Sequence, residues 1–192
     1  MTDNIYAPPL ADLSAPQGQA SGRFYVVSRT KFFVLFILSL GLYQIYWSYK
    51  NWSLYKRAAN LDVWPVARGL FPIFFVHALY RNVDKSILAG GRGHAWDASL
   101  WATLFVVLGV LSNLLEVMVR NKLGGPLLEV TSVMLVFVQA AVTWQGQRAI
   151  NVASDDPRGE GNAGLRWINY LVIVPGAIMW LLILLGTFAV LR

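Results

Sequence analysis

His77 and His94 are the two histidines in a chain of 192 residues, and imidazole is the side chain best suited to move protons near neutral pH. Work as a general base would need a carboxylate or hydroxyl within hydrogen-bond reach of either ring. His77 stands nine positions after Arg68 and seven before Asp84, about two helical turns or more, so one helix does not assemble a triad from them. His94, in the stretch GGRGHAWD, precedes Asp97 by three positions. Neither histidine belongs to an H-E-x-x-H zinc signature. We read His77 as facing a helical bundle and His94 as a loop residue, and expect no catalytic residue, metal or cofactor.

Other chemistries have weaker footing. The chain has no cysteine, which excludes thiolate nucleophiles, disulfides and Cys-based metal sites. AGGRGHAW (89–96) carries Gly91-x-Gly93 but lacks the third glycine and the Lys-Ser/Thr ending of a phosphate loop. SDDPRGEGN (154–162) does not match the spacing of a twelve-residue calcium loop and reads as a solvated connector. No G-x-S-x-G element offers an acyl-transfer serine. Arg68, His77 and Glu129 remain as ionisable groups on apolar segments, where such groups mark a polar path by default.

The elements that would hold these residues are set by composition. The chain is 56% hydrophobic and 14% charged, against about 25% charged in soluble domains. Long windows carry no charge at all, which indicates an integral membrane protein. The net charge of +6 lies mainly in connecting segments, so it bears on threading and anionic-lipid contact rather than on nucleic acid. Residues 1–30 read as a disordered, Pro-rich amino-terminal tail without the basic and apolar regions of a signal peptide. Its YAPP motif suits either a docking peptide or an unstructured leader.

Residues 31–192 are expected to form an all-α, polytopic transmembrane bundle, with segments at about 32–57, 63–88, 98–119, 126–150 and 167–191. Four of these read as full spans. The segment at 63–80 is short, contains Pro65, Arg68, Pro72 and His77, and reads as a kinked span, an interfacial helix or a re-entrant piece.

GLYQIYWSYKNWSLYKR (41–57) should anchor the first span at the bilayer interface. Tyr43, Tyr46, Trp47, Tyr49, Trp52 and Tyr55 combine apolar rings with a polar edge, and Lys50, Lys56 and Arg57 can snorkel to headgroups. A competing reading has three rings converging to cage a quaternary ammonium.

Counting cations selects a threading. Five spans place nine Lys and Arg residues on the amino-terminal side and six on the other, giving a cytoplasmic amino terminus by the positive-inside rule. Four spans would place six and ten, and would export a tail carrying Arg23, Arg29 and Lys31. The five-span form is preferred. Asp97 is expected to cap a helix, Glu129 to occupy a first helical turn behind Pro126, and Glu116 and Arg120 to pair at i,i+4.

NIYAPPLADL (4–13) and KFFVLFILSLGLYQIYWSYKNW (31–52), followed by RGLFPIFF (68–75), resemble the opening regions of uncharacterised bacterial inner-membrane protein families. That resemblance covers mainly the first 80 residues, with Ile5 where those families place proline. It implies a bacterial cytoplasmic membrane and a cytoplasmic amino tail, and it implies no reaction. We therefore expect a non-enzymatic structural, accessory or regulatory component whose partners are lipids, another membrane protein or a second copy. The alternatives are a transporter or channel subunit using Arg68, His77 and Glu129, and a lipid-modifying enzyme with a histidine base.

Overall fold

The computed structural model describes residues 22–190, with side chains through Phe188. Among the described residues there is no strand. Seven α-helices follow in order: α1 Arg29–Leu38, α2 Tyr43–Ala59, α3 Pro65–Leu70, α4 Pro72–Ala89, α5 Ala98–Arg120, α6 Gly125–Ala153 and α7 Trp167–Val190.

Three of them, α5, α6 and α7, are long and apolar enough to cross a membrane. The chain is thus an all-helical protein with the makings of a membrane protein. The expected span over 32–57 is corrected. That run breaks at Ser39–Leu42 into α1, of 10 residues, and α2, of 17. Helix α1 rises only about 15 Å, half of a hydrocarbon core of about 30 Å. The break lies at Leu40 and Gly41, whose φ angles are +53° and +87°. Gly41 adopts the left-handed form at no steric cost, whereas Leu40 pays for it in strain.

After the break the chain turns back. Helix α1 runs antiparallel to α6, with Val27 beside Asn151 and Phe33 beside Trp144. Helix α2 runs parallel to α6, from Gln44 at Gln139 to Trp47 at Gln147. The segment at 63–88 repeats the manoeuvre. Helix α3 descends along α2, where Ser48 Oγ donates to the Arg68 carbonyl. The chain then bends at Phe71–Pro72, and α4 climbs back along α5. Ile73 packs on Gly109, His77 meets Thr103 and Tyr80 meets Trp96. Proline cannot donate to the preceding turn, so the reversal falls where the sequence places it.

One end of the molecule therefore gathers the start of α1, the end of α2, the start of α3, the end of α4, the start of α5, the end of α6 and the start of α7. We call this the near face. The turn between α5 and α6 and the end of α7 lie at the far face.

The local expectations resolve individually. The Asp97 carboxylate accepts from Ser99 and Leu100 N–H at 2.9 Å each, capping α5. Glu116 and Arg120 form an exposed ion pair at 2.9 Å. Helix α6 begins at Gly125, which moves Glu129 one residue past the first turn. Residues 1–21, including YAPP, lie outside the described part. Residues 25–28 are extended and firmly held, so the tail does not reach residue 30.

Candidate functional site

A ladder of polar side chains runs down the buried face of α6. Gln139, Thr143, Gln147 and Asn151 recur every four residues, so they share one stripe. All four are buried. Each buried amide must find partners or cost stability; Gln139 donates to Gln44 and to the Phe105 carbonyl, and Gln147 and Asn151 find theirs in the backbone of the amino-terminal segment. Asn151 accepts from Val27 N–H at 3.3 Å and donates to the Val27 carbonyl at 2.9 Å. Gln147 donates to the Tyr25 carbonyl and to Asn151 at 2.9 and 2.7 Å. From α2, Asn51 accepts from Tyr25 N–H at 3.1 Å. From the 154–166 connector, Asn162 donates to the Val26 carbonyl at 2.9 Å. Four amides from three places thus clamp one extended peptide. The Trp47 indole closes the set by donating to Gln147.

Lys31 stands beside this clamp, 3% exposed. Its ammonium donates to Asn162 Oδ1 and to the Gly164 carbonyl at 2.6 and 2.7 Å. The partners are neutral, so the charge is solvated by dipoles rather than neutralised.

The α1–α2 reversal is saturated with hydrogen bonds. Ser39 N–H donates to Leu35 O, Leu40 N–H to Ile37 O and Gly41 N–H to Phe36 O. Ser39 Oγ accepts from Tyr43 N–H at 2.8 Å, capping α2. The Trp180 indole of α7 donates to Ile37 O at 2.8 Å. Its polar groups are thus satisfied within the protein, the condition under which irregular backbone is tolerated away from water.

Between this reversal and α7 lies a cleft of about 590 Å³, lined by Leu35, Leu38, Tyr43, Tyr46, Leu171 and Met179 among others. A second, of about 400 Å³, lies on the other side of Tyr46, between α2 and α3.

The sequence-derived site residues separate into groups. Tyr43, Trp47 and Trp52 are core residues, whereas Tyr46 and Tyr49 are exposed. Tyr55 stacks on Phe24 at 5.2 Å. One face of α2 thus packs inward and the other looks out. Each cleft is lined by two of the six rings, Tyr43 and Tyr46 in one, Tyr46 and Tyr49 in the other, rather than by three. Lys50 lies 6.0 Å from the Tyr46 ring. Lys56 donates to Val63 O at 2.9 Å across the α2–α3 loop, and Arg57 is exposed.

Arg68 is sandwiched between Trp52 at 4.0 Å and Phe75 at 5.1 Å, a cation–π arrangement worth about 0.5–2 kcal/mol. His77 is exposed and pairs with Thr103 at 3.3 Å. Glu129 is exposed on the far half of α6. The three lie on α3, α4 and α6, and none of them lines either cleft. His94 sits near Trp96, and burial, followed by the charge of Arg148, holds its pKa below the ordinary histidine value. Among the described residues no three His, Asp or Glu side chains group as metal ligands.

The clamp residues Asn51, Gln147, Asn151 and Asn162 and the buried Lys31 were missed from the sequence. The signal was present in the four-residue period of Gln139, Thr143, Gln147 and Asn151, a polar stripe on an otherwise apolar helix. No protein-family model matches the chain, and no curated protein or solved structure matches it either.

Proposed function

We propose that this chain is a non-enzymatic accessory component of a bacterial cytoplasmic membrane, threaded by three full spans and two half-depth hairpins, with a cytoplasmic amino terminus. The observation that carries this reading is the distribution of charge that follows from the helix directions. With α1–α2 and α3–α4 each entering and leaving at the near face, eleven of the sixteen Lys and Arg residues belong to that face. Lys50 and Arg68 lie on the α2 and α3 arms, and only Arg120, Lys122 and Arg192 follow the far ends of α5 and α7. Five crossings would have split the cations nine to six; the hairpins turn a slight bias into a more than threefold one. By the positive-inside rule the near face is cytoplasmic.

The interior supports a structural role. Apart from Lys31, its buried polar groups among the described residues are amides and hydroxyls, which do not transfer protons readily at neutral pH. Leu42, Leu70, Phe71 and Phe74 are exposed around the two reversals, an apolar surface suited to lipid.

The natural absence of cysteine makes the threading directly testable. Asp62→Cys, Gly93→Cys and Leu123→Cys are each treated with a membrane-impermeant maleimide on intact cells and on opened membranes. The proposal expects positions 62 and 93 to react only in opened membranes and position 123 to react in intact cells. Labelling of position 62 from outside would restore five crossings and remove the hairpins.

A further inference from the structure

The cleft between the α1–α2 reversal and α7 combines an apolar floor with a cationic mouth. Its floor is Leu35, Leu38, Leu171, Val172 and Met179, and Tyr46 and Asn169 line it as well. Arg166, one residue before α7, donates its backbone N–H to the Asn169 side-chain oxygen at 2.8 Å, and Asn169 lines the cleft; the Arg166 charge acts on both Tyr46 and Lys31. The Lys50 ammonium lies 6.0 Å from the Tyr46 ring. The three described ion pairs are Arg92–Asp155, Arg120–Glu116 and Arg158–Glu160, so among the described residues no carboxylate ion-pairs with Lys31, Lys50 or Arg166. The carboxylates of the nearby connector are engaged elsewhere. Asp155 pairs with Arg92, Glu160 with Arg158, and Asp156 accepts the Glu160 and Gly161 N–H groups.

A cavity of this volume is within the range of about 300–1,000 Å³ that holds small ligands. Among the described residues neither Arg166 nor Lys50 has a carboxylate partner, and two such cations beside the cleft call for an anion there. Resting on the threading proposed above, we propose that this cleft is a binding site for an anionic glycerophospholipid of the cytoplasmic leaflet. One acyl chain lies between the α1–α2 reversal and α7, and the phosphate meets Arg166 and Lys50. The half-depth turn gives the site its character. Because α1 stops halfway, it flanks only the near half of α7, and the chain enters from the side of the bilayer.

The full-length protein is reconstituted in nanodiscs containing equal phosphatidylglycerol and phosphatidylcholine, then released into detergent for native mass spectrometry. The proposal expects retained phosphatidylglycerol in several-fold excess over phosphatidylcholine. Leu171→Trp, which fills the cleft from an exposed position, should lose both lipids. Arg166→Gln with Lys50→Gln should keep a bound lipid while losing the preference for the anionic one. Equal retention of the two lipids by the unaltered protein would overturn the headgroup assignment, and retention unchanged by Leu171→Trp would overturn the cleft. A retained dimer that excludes lipid would show that a second copy covers this surface instead, and would also overturn it. Cysteine labelling is read independently, so failure of the lipid site leaves the threading standing.

Discussion

Gly176 of α7 lies against the Leu38 carbonyl so closely that a Cβ built on it would fall 2.0 Å from that oxygen. One turn further along α7, Trp180 donates to the Ile37 carbonyl. The last carbonyls of α1, which a free helix end would leave bare, are thus covered by α7, and a hydrogen at position 176 is what lets the helices come so near. Gly176→Ala should separate α7 from α1 at a cost of about 1–3 kcal/mol, the range for overpacking a fitted contact. Trp180→Phe should cost less, because Ile37 O keeps the Leu40 N–H. Thermal unfolding in detergent, comparing the two variants, checks the order; a larger loss for Trp180→Phe would mean that the indole, not the close approach, holds α7.

The amide clamp predicts a loss out of proportion to the atoms removed. Asn151→Ala strands the Val27 N–H and carbonyl together, at about 1–3 kcal/mol for each buried group left unpaired. Asn151→Asp retains an acceptor for Val27 N–H but has no donor for its carbonyl and adds a buried charge, so it should not rescue. Melting temperature reports the loss, and protease sensitivity near residues 22–28 reports where it falls. Stability equal to that of the unaltered protein in Asn151→Ala would show that the segment is not held by this side chain.

Tyr80 offers the opposite sign. It is fully buried, and its hydroxyl meets no hydrogen-bond partner among the described residues while pressing on Gly146 of α6. Tyr80→Phe removes an unpaired polar group from the core and should leave stability unchanged or raise it by up to about 1–3 kcal/mol. Gly146→Ala should destabilise, because its Cβ would meet the ring itself. A marked drop in melting temperature for Tyr80→Phe would reveal a partner for the hydroxyl and reverse this account.

Periodicity and punctuation carried much of the fold in the sequence. The ends of α5, α6 and α7 fall within a few residues of the apolar windows that announced them, and Asp97 caps where its position before an apolar run says it should. The first span was misjudged for a physical reason. An apolar run long enough to cross does not reveal that Leu40, which disfavours a left-handed φ, will be forced into one to reverse the chain. The long-range donors that make the reversal tolerable, Trp180 above all, lie about 140 residues away. The inward and outward faces of α2 were not legible from ring type either. Type does not distinguish Trp47, which faces Gln147, from Tyr46, one position earlier, which faces outward. The candidate site was least legible, because a cleft exists only once α7 has docked against a hairpin that the sequence did not disclose.

The clamp also sets a timetable for synthesis. Val27 bonds to a side chain 124 positions later in the chain. At about 5–20 residues per second, the ribosome takes roughly 6–25 s to deliver Asn151 after Val27 has emerged. Throughout that interval residues 25–28 lack the amides of α6, and helices α1 to α4 wait without the helix against which they finally close. The segment before α1 is thus fully held only once α6 has been made.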